Sequence, residues 1–323
     1  MLNPAKKKTM NKQSTNQESI ILVTGATGAR GGSVARALLK DKRYRVRILT
    51  RDTRSQKAQV FQRAGAELVH GDYNDRESLV KAMEGAYGVF AAPRLAEDAA
   101  TVLRQGKNMV DAVRLSGIHH FVMQTSPDLK KLGLGNYPVP RYDVLALLEE
   151  YTRQSKLPAT FLHIAFPYEN FLDFFPLQKD SNGDYYFGFP QGDTPLAMAS
   201  LEDLGKIVSP VFNEPETYTG RVVGVVGADE TSDQYAAILS KVLKRNIYYS
   251  YIPRNVYAAY DFSGAEELAN MFEVQRLYVP QRKKDLEESY RINPAMQSFE
   301  EWVARNRARF IHQFNAQFEV VVI

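Results

Sequence analysis

The stretch Ile20-Ile21-Leu22-Val23-Thr24-Gly25-Ala26-Thr27-Gly28-Ala29-Arg30-Gly31-Gly32 limits the fold more tightly than any other part of the chain. Its first five residues, mostly β-branched and otherwise apolar, read as a buried strand. Glycines follow at Gly25, Gly28 and Gly31, and Ser33–Lys40 then has the spacing of an amphipathic helix. A strand, a glycine-punctuated turn and a helix N-terminus form a cradle for phosphate. The missing side chains admit a pyrophosphate to the backbone, at the positive end of the helix dipole. Glycines alone would mark only a tight turn; the flanking strand and helix make this a dinucleotide signature.

Downstream, strands and helices alternate. Tyr44–Arg51 reads as a strand, Ser55–Ala64 as a helix closed by Gly65, and Ala66–Asp72 as a strand. Asn74–Gly85 is a short helix with Asn74 as its N-cap, followed by a strand over Tyr87–Ala92 and a helix over Glu97–Ser116. His120–Thr125, Pro140–Gln154 and Ala159–Ala165 continue as strand, helix and strand. Such alternation demands parallel strands joined by helical crossovers, which is an α/β, Rossmann-type doubly wound parallel sheet.

The rhythm breaks at Pro167. Tyr168–Ala199 is rich in aromatics, glycine and proline, and should lie over the carboxyl edge of the sheet. Helices return at Ser200–Phe212, behind a Thr231/Gln234 capping box, at Asn255–Tyr260 and Gly264–Tyr278, and behind a Ser298/Glu301 cap. Arg221–Val226 reads as a strand returning to the sheet. The expected layout is a disordered tail over 1–18, a dinucleotide-binding Rossmann domain over 19–167, and a smaller mixed α/β lobe for substrate or partner over 168–323.

Composition narrows the function. The 323 residues contain no cysteine, which excludes disulfides, thiolate zinc sites and cysteine nucleophiles and fits a cytoplasmic protein. The N-terminus lacks the apolar stretch of a secretory signal, and no apolar run reaches the ~20 residues of a membrane span. A net charge of +4 is small for this length, and a pI near 9.0 without a reading helix argues against nucleic acid. His119 and His120 lack metal-ligand company, and no Gly-x-Ser-x-Gly elbow is present. Asp184 and Asp193 read as turn residues.

The end of the second strand selects the cofactor. NAD-binding versions carry a carboxylate there for the ribose hydroxyls. This chain has Thr50-Arg51 with Arg54 one turn on, and guanidinium forks suit a phosphate, so NADP is expected over NAD. Asp72 is placed to accept from the adenine amino group, Tyr73 to stack nearby, and Arg30 to add a cation beside the phosphates.

Gly25-x-x-Gly28-x-x-Gly31, Thr50-Arg51, Gly71-Asp72, Tyr168-Glu169-Asn170, Asp203-Leu204-Gly205 and Leu268-Ala269-Asn270-Met271-Phe272 together resemble the NmrA-like branch of the atypical short-chain dehydrogenases/reductases. The similarity runs from about Ile20 to about Phe310. It implies an NADP-binding Rossmann domain with a smaller C-terminal domain, in a family holding both dinucleotide-sensing regulators and true reductases. The expected cofactor-binding set is Gly25, Thr27, Gly28, Ala29, Arg30, Gly31, Arg51, Arg54, Asp72, Tyr73, Ala91, Ala92, Phe166, Tyr168 and Glu169.

Short-chain reductases use a tyrosine as proton donor and a lysine four residues later that lowers its pKa. Anchored on Glu149-Glu150-Tyr151, the family's lysine position falls at Leu145 and its tyrosine position at Arg141. Tyr142, Tyr137 with Arg141, and Lys130 and Lys131 are imperfect substitutes, so no catalytic residue is assigned. The sequence therefore favours an NADP(H)-binding redox sensor or regulator with weak or no dehydrogenase activity. Its partner would be a regulatory protein, with nuclear access in that case, and the protein has room to be a homodimer. The alternative is an NADPH-dependent reductase of a quinone, enone or aromatic carbonyl, a flat aromatic molecule stacking on Phe166, Tyr168, Phe171, Phe174 and Phe175.

Overall fold

The computed structural model describes residues 19–95, 98–279 and 281–319, so the expected tail at 1–18 and Glu97 lie outside the described residues. Its strands are β1 (Ile20–Thr24), β2 (Arg45–Thr50), β3 (Glu67–His70), β4 (Ala86–Ala91), β5 (His120–Thr125), β6 (Ala159–Ile164), β7 (Phe166–Pro167), β8 (Gln178–Lys179), β9 (Tyr185–Phe187), β10 (Leu196–Ala199), β11 (Val222–Val225), β12 (Ala228–Glu230) and β13 (Ile247–Tyr249). The helices of the first half are α1 (Ala29–Asp41), α2 (Gln56–Arg63), α3 (Arg76–Met83), α4 (Ala99–Leu115), α5 (Leu129–Leu132), α6 (Pro140–Gln154) and α7 (Asn170–Asp173). Those of the second are α8 (Leu204–Asn213), α9 (Pro215–Tyr218), α10 (Ser232–Leu243), α11 (Arg254–Ala258), α12 (Ala265–Tyr278), α13 (Lys283–Ile292), α14 (Phe299–Arg305) and α15 (Arg307–Glu319).

Seven strands form one sheet in the order β11-β6-β5-β4-β1-β2-β3, and every pairing in it is parallel. Parallel strands are covered on both faces, and β5 is accordingly buried at every residue. One core layer joins α1 and α8 to the sheet through Val34, Leu38, Leu204, Ile207 and Phe212. The opposite layer joins α3, α4 and α6 through Leu79, Met109, Val113 and Leu148. The order of connection reverses between β1 and β4, and ligands bind at the carboxyl ends beside such a switch point.

Two small sheets, β12-β10-β7 and β13-β9-β8, carry a third core built on aromatics. Phe189 stacks on Phe272 at 4.9 Å, and Tyr168 lies 5.1 Å from Phe299 and 5.5 Å from Trp302. The segment Tyr168–Ala199 thus has short regular strands inside its irregular course.

Three details depart from the sequence reading. Helix α1 starts at Ala29, so Gly31 and Gly32 lie inside it. The N-cap of α3 is Asp75, whose carboxylate accepts from the Ser78 amide, whereas Asn74 is bound into a turn by Asp72. Between Ser200 and Leu204 the chain makes a 3₁₀ turn over Leu201–Asp203 before α8 begins. Gly205 lets α8 lie against α1, because a Cβ there would come within 2.7 Å of the Ala37 Cβ and collide with the Ser33 carbonyl. The Ser33 hydroxyl then donates to the Glu202 carbonyl (2.9 Å) and accepts from the Gly205 amide (3.0 Å), fixing the cradle's helix to the second half of the chain.

His120 is fully buried, with Nε2 at 2.8 Å from the Thr160 hydroxyl. Burial holds its imidazole at about 4, below the ordinary 6.5. The unfolded chain binds a proton below pH 6.5 that the folded chain refuses until about pH 4. Stability contributed by neutral His120 is therefore complete above that window and falls within it by about 1.4 kcal/mol per pH unit. Urea midpoints compared between pH 7 and pH 5 should show this slope, and a His120→Gln variant should lack this component of it.

Candidate functional site

The cradle forms where β1 ends and α1 begins. Gly25 has φ +65, a left-handed conformation that a side chain would strain. Gly28 caps α1, its amide bonded to the Gly25 carbonyl at 2.9 Å, and no side chain occupies the first-turn amides. Gly31 packs α1 on the strand: a Cβ would stand 2.5 Å from the Gly25 carbonyl carbon and would collide with the Thr24 carbonyl oxygen.

A groove of about 480 Å³ opens beside the cradle at the ends of β1, β2 and β3, walled by Gly25, Thr27, Arg51, Lys57, Asp72, Tyr73, Arg94 and Gln105, among others. Arg51 is exposed and has no ion pair among the described residues. Arg54 lies outside this wall, its Nε 3.9 Å from Asp52, while Lys57 on α2 and Arg94 join Arg51 as cations of the groove. The Asp72 Oδ1 accepts from the Asn74 amide (2.8 Å) and side chain (3.0 Å), which fixes the carboxylate at the groove wall. Tyr73 donates its hydroxyl to Thr24 at 2.6 Å, and burial pushes its phenol up to about 12, so it is a wall of the groove anchored to β1.

A second, larger cavity of about 860 Å³ adjoins the carboxyl ends of β5 and β6. Arg30, Gln124, Thr125, Ser126, Tyr142, Leu145, His163 and Phe166 line one side, and Met271, Gln275 and Arg282–Asp285 the other. Arg30 stands on the first turn of α1, so it belongs to the cradle and the cavity together. Its Nε is buried and has no hydrogen-bond partner among the described residues. Burial lowers its pKa, opposed by the charges of Tyr142 and Glu169. Arg30 is half-buried, and a cation whose buried nitrogen lacks a partner is costly unless an anion completes it. The buried Gln124 Oε1 also has no hydrogen-bond partner among the described residues. Both orphaned atoms, with the open α1 amides and the glycine approach, fit a pyrophosphate-linked dinucleotide laid from groove to cavity.

The other expected residues separate. Ala91 and Ala92 are buried at the end of β4, and Ala29 sits exposed at the start of α1. Tyr168 is 0% exposed, within the aromatic core. Glu169 ties the end of β7 to the turn after β10, accepting from the Ser200 hydroxyl (2.9 Å) and the Leu201 amide (3.0 Å). Of the aromatics proposed to stack on a substrate, Phe166 reaches the cavity, Phe171 is core, and Phe174 is 76% exposed.

Arg141, expected from the sequence at the tyrosine position, pairs with Glu267 of α12 at 2.6 Å. Leu145 closes the cavity with an apolar wall, and Tyr142 faces the same space, its phenol raised by burial and lowered in part by Arg30. Lys130 and Lys131 are exposed and absent from the cavity wall. What the sequence did not reveal is a cluster beneath the cavity. The Glu149 Oε2 accepts from the Thr125 hydroxyl (2.7 Å) and lies 3.0 Å from His163 Nε2, while Oε1 accepts from Arg153 Nε (3.1 Å) and Nη2 (2.8 Å). Burial would raise this carboxyl, yet the donors from His163, Thr125 and Arg153 hold it down at about 2. Thr125 and His163 are register partners on β5 and β6, a signal legible only once the two strands are known to be neighbours. Among the described residues no cluster suits a metal ion, and no helix is long and apolar enough to cross a membrane.

Comparison with known proteins agrees with this geometry. The "NmrA-like family" profile matches residues 17–303. An NmrA-like family domain-containing oxidoreductase, FrzB, of Cladobotryum sp is 30% identical over 276 residues, spanning 78% of this chain and 81% of that one. The crystal structure of Nmra, a negative transcriptional regulator, superposes with a TM-score of 0.80 at 22% identity, covering 93% of this chain and 98% of that one. The NADPH-dependent quinone oxidoreductase QOR2 of Escherichia coli, complexed with NADPH, gives a TM-score of 0.74 at 21% identity over 88% of this chain and 99% of that one. With that profile matching most of its length, the chain belongs to the NmrA-like family.

Proposed function

We propose that this protein is an NADPH-dependent reductase of a flat, largely apolar carbonyl compound: a quinone, an enone or an aromatic carbonyl. The observation that carries the reading is the cavity of about 860 Å³ that shares Arg30 with the dinucleotide cradle. Small-molecule sites are concave, largely apolar and furnished with a few convergent polar groups. This one combines Phe166, Met271, Leu145 and Leu129 with Tyr142, Ser126 and His163.

Gly25, Gly28 and Gly31 would admit the pyrophosphate, Arg30 would neutralise it, and Arg51 with Lys57 would face the adenosine phosphate. When bound, the reduced nicotinamide supplies a hydride. The chain orients the acceptor, keeps bulk water from its apolar faces and provides a proton where negative charge develops on oxygen. Leu145 favours a second reading, the redox sensor, because a leucine cannot assist a tyrosine hydroxyl. In that case the dinucleotide would favour one conformation of the partner surface.

Cofactor choice is tested at Arg51. An Arg51→Glu variant places a carboxylate against the phosphate, and the lost charge-assisted contact should weaken NADPH about 10- to 100-fold while sparing NADH. Isothermal titration of both nucleotides measures the ratio. Equal weakening of both would remove Arg51 from cofactor selection.

A further inference from the structure

We propose that His163, oriented by Glu149, is the proton donor of the large cavity, serving in place of a tyrosine–lysine pair that α6, with no lysine, does not form. The proposal rests on the reductase reading above. His163 is the penultimate residue of β6 and its register partner Thr125 the last of β5, so both stand at the carboxyl edge where the cavity opens.

The hydrogen bonds assign the proton. Three donors, the Thr125 hydroxyl and Arg153 Nε and Nη2, point at the two oxygens of Glu149, and a carboxylate so satisfied is ionised and can only accept. The contact at 3.0 Å therefore requires a hydrogen on His163 Nε2, and Nδ1 makes no hydrogen bond with the described residues. A protonated ring then presents Nδ1–H as a donor. A carbonyl receiving hydride at carbon moves its π pair onto oxygen, and the Nδ1–H bond breaks as the new O–H bond forms. Its electron pair stays on nitrogen, leaving a neutral imidazole still bonded to Glu149 through Nε2. Solvent returns the proton.

Other charges surround this group. Arg153 holds the far oxygen of Glu149, and Arg282 donates to the His163 carbonyl at 2.9 Å while pairing with Asp285. Asp229 of β12 accepts from the Arg282 amide, Lys283, Lys284 and Glu287 line the same cavity, and Arg30 and Tyr142 stand on its other wall. Tyr142 is the competing donor. A brace tying α6 to β5 and β6 is the purely structural alternative, and it would not require an open Nδ1.

Two readouts separate these outcomes. In the ligand-free protein, nitrogen NMR should find the neutral His163 ring protonated on Nε2, and Glu149→Gln should erode that preference. A ring protonated on Nδ1, or one that never titrates, overturns the proposal whatever the turnover. With NADPH and a quinone or enone, His163→Asn should lower kcat by roughly 10²- to 10⁴-fold and leave NADPH affinity unchanged. It should also abolish the decline of turnover with rising pH, a decline that Tyr142→Phe retains. Unchanged kcat in a folded His163→Asn variant, or loss of the decline in Tyr142→Phe, overturns the assignment to His163 alone. No wild-type turnover on any acceptor overturns the reductase reading itself.

Discussion

Gly31→Ala should both destabilise the protein and abolish dinucleotide binding. The added methyl would sit 2.5 Å from the carbonyl carbon and 2.6 Å from the carbonyl oxygen of Gly25, between two rigid stretches of backbone. Neither α1 nor β1 can retreat, since α1 is held from behind by α8 through Gly205 and Ser33. Overpacking of this kind costs about 1–3 kcal/mol, and more where only backbone can yield. Any movement of α1 also displaces the amides that would receive phosphate. Gly28→Ala is the control for stability, with φ −104 and a nearest contact of 3.4 Å. Urea unfolding should separate the two variants clearly, and NADPH titration should show no binding by Gly31→Ala.

Arg30→Met should produce the opposite combination, with NADPH affinity falling about 10- to 100-fold or more while the ligand-free protein keeps or gains stability. The guanidinium is buried at Nε with no hydrogen-bond partner among the described residues, so its removal relieves desolvation that none of their hydrogen bonds offsets. The methionine fills the space along the same stem. Thermal midpoints with and without NADPH measure both effects at once. A ligand-free variant that is strongly destabilised would mean that Arg30 serves the fold and not an anion.

The alternation of strands and helices was legible because each element is periodic over its own residues. The segments His120–Thr125 and Pro140–Gln154 appear in the structure with the boundaries their patterns imply. Capping boxes at Thr231 and Ser298 were equally readable, since both partners lie within one turn. Helix α13 was missed: six of the ten residues of Lys283–Ile292 are charged, Leu286, Tyr290 and Ile292 pack only partly buried against the sheet's core, and the one fully buried residue, Ser289, reaches into β11 by bonding the Gly224 carbonyl and the Val226 amide. The cap of α3 was misplaced because Asp72, Asn74 and Asp75 are all competent cap residues, and their tertiary neighbours decide among them.

The site divides in the same way. Cradle glycines act within a few residues of one another, so the strand, turn and helix that they join could be read from the chain. Tyr168 could not, because aromatic residues beside a strand look alike whether they face a ligand or a core. The bond between Glu149 and His163 joins a helix to a strand, and nothing in either segment announces the other.

The most direct test of the reductase assignment is a stoichiometry. The full chain is mixed with NADPH and, in turn, a naphthoquinone, an aromatic enone and an aromatic aldehyde, and nucleotide oxidation is counted against reduced product. The account predicts that at least one acceptor yields one product per NADPH oxidised, faster with NADPH than with NADH. Tight NADPH binding with no acceptor reduced would contradict it and leave the dinucleotide as a regulatory ligand.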